Sequence, residues 1–303
     1  MDSVPYAFCD QVLSTIHNLE TISYFGSGYI SSCINSIWKA AIADHASKRL
    51  SLVVKFDFGS DPMKYFWEFF YHSPERKDFA TIRKIDEKYI RVVAVQFYPF
   101  DQMPSYSATV SEMEKMVIFA ASFMDFSSLC CENFETSHSD TIKRIFDYFL
   151  NASVSELDVF DAYEGVLLAQ LQSDHLRILR VANGVWSEEA RKAIETFVLT
   201  KRFKSVELPE TIDFDSDFVE QLLKLPAETG SERSRFKNIT IKEGNHFAFI
   251  RSLKVDGILE ESANRIFLKR EDGVYVFVER ENGYLKVTLT TVDPYSGCNP
   301  LTM

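Results

Sequence analysis

The side chains that could do chemistry are scattered along this chain rather than grouped. Its six histidines stand singly, without acidic or thiol neighbours at metal-ligand spacing, and most are expected at the surface or as caps. They are His17, His45, His72, His138, His175 and His246. The sequence contains no nucleophile elbow, P-loop, HExxH helix or dinucleotide fingerprint, whose spacing would require a chemical interpretation. The chain is therefore predicted not to be an enzyme.

Two residue clusters have both a chemical and a structural interpretation. Adjacent Cys130 and Cys131 could form a redox pair, but neighbours on a strand point to opposite faces, so packing is favoured. Asp213, Asp215 and Asp217 could ligate a hard cation, but a calcium loop needs a glycine and a final glutamate. Acidic residues are also favoured at helix N-termini. The sequence predicts a helix cap there, and neither a metal nor a cofactor is expected.

Composition limits the partners of this 303-residue chain. Its net charge of -11 repels nucleic acid and anionic lipid, and no dense basic run offsets it. The longest apolar stretch, from Met116 to Met124, is too short to cross a bilayer. The N-terminus lacks the basic start and apolar run of a secretory signal. We expect a cytoplasmic or nuclear protein that binds neither nucleic acid nor membrane.

The first 50 residues form a predicted helical segment. Phe8, Val12 and Ile16 recur at helical spacing after Pro5, a residue suited to the first helical turn. A second apolar run at helical spacing contains Trp38. Trp38 either fills the core between these helices or contacts a partner, and the spacing allows both.

Residues 51–254 are predicted to alternate between strands and helices. A hairpin is expected from Leu50 to Tyr71, and the strand from Tyr89 to Phe97 follows it. An apolar pattern, Φ-x-x-Φ-x-Φ, then recurs, each time before a helical stretch. Its copies are Phe126/Leu129/Cys131, Val154/Leu157/Val159, Leu176/Leu179/Val181, Phe203/Val206/Leu208 and Phe236/Ile239/Ile241, with a possible earlier copy at Ile90/Val93/Val95.

These repeats predict an α/β fold, an irregular leucine-rich-like solenoid of parallel strands. The apolar positions should face the interior, and the residues between them should lie on the open face, a usual binding surface of solenoids. The candidate target-binding residues are Glu132, Asp158, Phe160, Arg180, Glu207, Thr240 and Lys242. An exposed Phe160 among charged neighbours is the most suggestive of them.

Residues 255–303 change to a strand pattern. Three β-rich runs are joined by Asp272-Gly273 and Asn282-Gly283, dipeptides that supply the positive φ angles of two-residue hairpin turns. The sequence predicts a three-stranded antiparallel meander that caps the open end of the solenoid.

The N-terminal pattern resembles an F-box. The residues that carry the resemblance are Pro5, Phe8, Val12, Ile16, Leu19 and Trp38. With the irregular repeats and the closing meander, the chain is similar to the nematode F-box and F-box-associated protein families. The resemblance implies a substrate receptor of a cullin-RING (SCF-type) ubiquitin ligase. In such a receptor the N-terminal residues bind a Skp-type adaptor, which links to the cullin scaffold, and the repeats bind a protein target.

Two other interpretations remain open. The loop from Ser23 to Ser32 is rich in glycine and serine and lengthens the path to Trp38, and Ile37 stands where an F-box usually has a basic residue. The F-box-like segment could therefore be only the cap of a repeat-based scaffold protein. An enzyme on an unfamiliar α/β scaffold is the third possibility.

Overall fold

The computed structural model of the chain describes residues 6–14, 36–70, 76–99, 104–131, 139–160, 163–182, 184–200, 203–226, 236–253 and 258–292. Contacts divide the chain into two compact units, residues 1–154 and 155–303. Each unit contains a sheet with helices. The three-part division at residues 50 and 254 stays a prediction.

The first unit begins with two helices and continues as a strand-rich fold. Its helices are α1 (Tyr6–Ser14), α2 (Ser36–Lys48), α3 (Phe79–Ile82), α4 (Val110–Ser122) and α5 (Ser139–Phe146), with 3-10 turns at Glu87–Tyr89 and Asp147–Phe149. Its strands are β1 (Leu50–Asp57), β2 (Met63–Phe69), β3 (Ile90–Phe97), β4 (Tyr106–Ala108) and β5 (Met124–Cys131).

The strand order in the first unit is β5-β3-β1-β2-β4. Strands β1, β3 and β5 are parallel, whereas β2 pairs antiparallel with both β1 and β4. The predicted hairpin is confirmed as the β1–β2 pair. Leu52, Val54 and Phe56 on β1 are fully buried, as the alternation in this run predicts.

A bulge in β3 corrects one predicted repeat copy. Leu52 pairs with Val92, but the next residue of β1, Val53, pairs with Ala94, so Val93 is left out of the register. An extra residue of this kind changes which side chains face the core. Val92 and Val95 are buried and Val93 is only half-buried, so the Ile90/Val93/Val95 assignment was wrong at its central position.

The second unit alternates strand and helix before ending in strands. Its helices are α6 (Glu164–Gln172), α7 (Glu188–Thr200), α8 (Ser216–Leu223) and α9 (His246–Ser252). Its strands are β6 (Ser153–Val159), which begins at the unit boundary, β7 (Ile178–Val181), β8 (Ser205–Glu207), β9 (Phe236–Lys242), β10 (Ile258–Glu261), β11 (Arg265–Lys269), β12 (Tyr275–Glu281) and β13 (Tyr284–Thr290).

The strand order in the second unit is β10-β11-β12-β13-β9-β8-β7-β6. Strands β6 to β9 are parallel, and the remaining pairs are antiparallel. The predicted meander is confirmed as β11–β13, with positive φ angles at Gly273, Asn282 and Gly283 in its turns. The fold is thus mixed α/β, with a mostly parallel arrangement and a C-terminal antiparallel run.

Strand register separates an apolar row from a polar one in the second unit. Residues paired directly across strands share a face of the sheet. One register row is buried across the sheet in the spatial order β6, β7, β8, β9, β13, β12 and β11. Its residues are Leu157, Leu179, Val206, Ile239, Val287, Val278 and Ile266. The repeat pattern therefore predicted the core positions in this unit, except at Phe236, which opens β9 and is 41% exposed.

Helix caps fix where several helices begin. The Thr109 side chain accepts a hydrogen bond from the Glu112 amide, and the Glu112 carboxylate accepts one from the Thr109 amide, so the two residues form the capping box of α4. Asp215 accepts a 2.7 Å hydrogen bond from the amide of Phe218 and caps α8. Ser187 caps α7 through a 3.0 Å hydrogen bond from the amide of Ala190. The predicted capping role of Asp215 is thereby confirmed.

Within the described residues, every helix is too short or too polar to cross a lipid bilayer.

Candidate functional site

A row of mostly charged side chains crosses the face of the second unit's sheet opposite to the buried row. Each side chain in this row is paired by strand register with the one on the neighbouring strand, in the spatial order β6, β7, β8, β9, β13, β12 and β11. We call this set the charge row: Asp158, Arg180, Glu207, Thr240, Lys286, Glu279 and Arg265. Four of its members, from Asp158 to Thr240, are among the predicted target-binding residues. The row therefore brings these four side chains together on one surface.

Ion pairs within this surface hold most of its charges. Arg180 Nη1 lies 2.6 Å from Glu156 Oε1, and Arg180 Nε lies 3.6 Å from Glu207 Oε2. Two nitrogens of Arg265 donate to the same carboxylate oxygen of Glu279, at 2.7 and 3.1 Å. Burial alone would lower the pKa of Arg180, but the bond to Glu156 and the other carboxylates raise it above its usual value.

Asp158 is different because its carboxylate is half-buried without an ion pair or hydrogen bond from the described residues. Desolvation raises the pKa of Asp158, Arg180 opposes that rise, and Glu207 and Glu156 add to it. A charge kept out of water without a direct partner is unfavourable. The charged form of Asp158 is therefore a destabilising feature of this surface.

The other predicted target-binding residues lie around the row or outside the described residues. Lys242 is exposed on β9, two residues beyond Thr240 and so on the same face. Phe160 follows β6 and is half-buried, which corrects the expectation of an exposed ring. Glu132 lies outside the described residues.

The helix pair, α1 with α2, forms a second surface, in the first unit. Cys9 and Leu13 of α1 pack against Ala41 and Ile42 of α2, all four buried, and Ile37 and Trp38 lie partly buried beside them. This apolar seam explains why two short helices associate, since neither could bury its stripe alone.

Aromatic side chains lie on the outer side of the helix pair. Phe8 is 52% exposed, and its ring meets that of half-buried Trp38 edge to face, with 6.4 Å between centroids. Val12, one turn after Phe8, is half-buried. Pro5, Ile16 and Leu19, the other predicted adaptor-binding residues, lie outside the described residues. An exposed aromatic ring supported by a second ring is typical of an anchor for a protein partner.

Polar contacts attach the helix pair to the rest of the first unit. The Asp10 carboxylate accepts hydrogen bonds from His45 Nε2 at 3.0 Å and from Lys88 Nζ at 3.1 Å. The Asp44 carboxylate accepts one from the Tyr89 hydroxyl at 2.8 Å. Asp10 lies about 200° around the helix from Phe8, so the attached face and the aromatic face are nearly opposite.

Electrostatics in this group favour the charged carboxylates. Desolvation alone would raise the pKa of Asp10, but hydrogen bonds from Lys88 and His45 outweigh it, and the net pKa is lowered. Hydrogen bonds from Lys48 and Tyr89 lower the pKa of Asp44. These ion pairs and hydrogen bonds are therefore fully formed at neutral pH.

Two of the described histidines are buried, although most histidines were expected at the surface or as caps. His45 is fully buried in the helix pair and His246 is buried at the start of α9, so neither is a surface residue. Burial lowers the pKa of His246, while Asp213 and Asp215 oppose that shift. The Asp10–His45 contact spans 35 positions, and no local spacing in the sequence indicates it.

A shallow groove of about 430 Å³ runs between α6 and α7. Its apolar walls include Leu168, Leu171 and Phe197, and Lys192 lies at its rim, 3.7 Å from Glu188. Lys192 is the one titratable side chain that lines it in the described part of the chain. The groove therefore offers an apolar contact surface and no acid–base pair.

Possible metal ligands are not grouped within the described residues, where no three His, Cys, Asp or Glu side chains converge. Cys131 is buried and Cys130 half-buried, as expected for neighbours on a strand. Cys9 is also a buried free thiol, whereas Cys33 and Cys298 lie outside the described residues.

Comparisons with protein-family models, with curated proteins and with solved structures found no match to this chain.

Proposed function

We propose that this protein is a non-enzymatic substrate receptor of a cullin-RING (SCF-type) ubiquitin ligase. In this proposal the helix pair, an F-box-like unit, binds a Skp-type adaptor that links it to the cullin scaffold. The face that carries the charge row belongs to a leucine-rich-like repeat array and binds a protein target. The single observation that carries the proposal is the Phe8–Trp38 pair on the outer side of the helix pair.

The attachment of the helix pair supports this role. Asp10 and Asp44 hold the inner side, so the outer aromatic side is presented on a fixed support. A preorganised surface binds more tightly because less conformational freedom is lost on association. An apolar ring with 52% exposure also gains free energy when a partner covers it.

Binding of a recombinant Skp-type adaptor, measured by calorimetry, tests the proposal. Phe8→Ser should weaken binding by about tenfold or more, the usual effect of removing an aromatic anchor. Phe70→Ser is the matched control, since Phe70 of the same unit is 54% exposed and lies outside the helix pair. Failure of the intact protein to bind, or equal loss in both variants, would contradict the proposal.

The second candidate is a repeat-based scaffold protein in which the helix pair has only a structural role. It is favoured by the contacts to Lys88 and Tyr89 and by the 2.8 Å hydrogen bond that buried Arg49 donates to the Leu13 carbonyl. A receptor requires the adaptor contact, whereas a scaffold does not. The Phe8→Ser and Phe70→Ser comparison therefore separates the two candidates.

A further inference from the structure

The charge row leaves two opposite charges without ion partners. Within the described residues, Arg180 is bound by Glu156 and Glu207, and Arg265 is bound by Glu279. Asp158 on β6 and exposed Lys286 on β13 are in neither set. Of the six charged side chains in the row, Asp158 and Lys286 are therefore the two without an ion pair among the described residues, and Arg180, Glu207 and Thr240 lie between them.

The separation of these two charges follows from strand spacing. The register joins Asp158 to Arg180, Glu207, Thr240 and Lys286 on successive strands. Neighbouring strands lie about 4.8 Å apart, so four steps place the two residues about 19 Å apart across the sheet.

Neighbouring charges make the Asp158 end of the row negative and the Lys286 end positive. Near Asp158, the carboxylates of Glu156 and Glu207 outnumber the single cation Arg180. At the other end, the three cations Lys242, Lys286 and Arg265 outnumber the carboxylates Glu279 and Glu281. A partner would thus meet a negative region and a positive region on one face, which specifies orientation as well as attraction.

The backbone of the partner is constrained by the surface it covers. The backbone amides and carbonyls of central strands are used within the sheet, so the face offers few to a partner. An α-helix satisfies its own backbone and can cover this face through side chains alone, whereas an extended segment would depend on water or on side chains of the face, most of which are already in ion pairs.

We propose that the charge-row face docks an α-helix of a protein partner, with a basic side chain against Asp158 and an acidic one against Lys286. This inference deepens the proposed target-binding function and rests on it. A helix rises about 1.5 Å per residue, and side chains roughly 11 or 14 residues apart share a face at about 16 and 21 Å. Both spacings match the row within side-chain reach, so the partner helix carries its two charges at one of them.

Selection from a phage-displayed library tests this directly. The library contains helix-forming peptides of about 20 residues, with one face randomised, and is panned on the intact protein. Enriched peptides should pair a basic and an acidic residue at one of the two spacings. Enrichment of basic residues alone, of proline-rich extended peptides, or of no peptide would overturn the proposal.

Variants of the two unpaired charges provide the second measurement. The double variant Asp158→Asn/Lys286→Gln should bind a selected peptide with about tenfold lower affinity, as expected for the loss of two charge pairs. Fluorescence anisotropy measures the affinity. The control is Glu188→Gln with Lys192→Gln, which removes the same charges from exposed positions on α7. Equal affinity for both double variants would overturn the inference.

The outcome is independent of adaptor binding, because Phe8 is unchanged in these variants. Successful peptide selection without adaptor binding would contradict the ligase proposal and support the helix-docking inference. The reverse result would keep the ligase proposal and remove the inference.

Discussion

Asp158 illustrates how a single charged side chain can oppose folding. Its carboxylate is half-buried and has no ion pair with the described residues, and desolvation raises its pKa above the usual value. For an acid with a raised folded pKa, ionisation destabilises the native state, and stability is recovered as pH falls through that pKa. A natural sequence can retain such a residue when a binding surface needs its charge.

We expect Asp158→Asn to stabilise the second unit modestly, by less than about 1 kcal/mol, because water screens a partly exposed carboxylate. Hydrogen exchange of the β6 and β7 amides should slow at pH 7 in the variant. The difference should shrink as pH falls from the raised pKa of folded Asp158 toward the ordinary aspartate value. Faster exchange at pH 7 would contradict this explanation.

Asp10 should behave in the opposite sense. Its lowered pKa means that its contacts with Lys88 and His45 are complete above the ordinary aspartate pKa and are lost as pH falls through the folded value. Asp10→Asn should therefore destabilise the first unit at pH 7 by about 1 kcal/mol. Urea unfolding measures the change, with exposed Glu87→Gln as the charge-matched control. An unchanged midpoint in Asp10→Asn would show that this group contributes nothing to stability.

Individual residues of the charge row differ in how far sequence could predict them. The buried alternation indicated the face on which Asp158, Arg180 and Glu207 lie. Glu279 and Lys286 could have been paired from the two-residue turn, which makes Glu281 face Tyr284. Their alignment with Thr240 depends on pairing between β9 and β13, which are separated in sequence, and no local pattern encodes it.

The same glycine-to-alanine substitution should have opposite effects on stability in a turn and in a helix. Gly283 has a φ of +83° in the β12–β13 turn, a conformation that alanine adopts only with strain. Gly165 lies in α6 with no atom within 4 Å of the position that a Cβ would occupy. The same added methyl group is therefore harmful in the turn and favourable in the helix.

Gly283→Ala should lower the free energy of unfolding by about 1 kcal/mol, and Gly165→Ala should raise it by roughly 0.5 kcal/mol, since alanine is the better helix former. Chemical unfolding of the two variants beside the wild-type protein measures both effects. Changes of the same sign would contradict the assigned backbone conformations.

Elements specified by local chemistry were predictable, and elements specified by distant pairing were not. The meander turns, the capping box and the first hairpin all follow from residues close in sequence. The bulge at Val93 arises where β3 pairs with β1, about 40 residues earlier, so the apolar pattern alone gave the wrong inward residue.

On the scale of the whole molecule, the two units should respond separately to loss of the helix pair. Deleting residues 1–48 removes the partners of Lys88, Tyr89 and Arg49 within the first unit. We expect the first unit to lose about 2 kcal/mol, roughly 5 °C in melting temperature.

Hydrogen exchange resolved by segment is the measurement for this deletion. Protection in β1 and β3 should fall, and protection in β11 to β13 should be retained, because the meander has its own buried row. Unchanged protection in β1 and β3 would mean that the helix pair is an independent module.

The reactivity of the Cys9 thiol reports how often the helix pair opens. Its side chain is fully enclosed between α1 and α2, so an alkylating reagent can reach it only when the two helices separate. When the pair closes faster than the reagent attacks, the labelling rate measures the fraction of time spent apart. Any ligand that binds only the closed pair must slow this reaction, even if it never touches the sulfur atom.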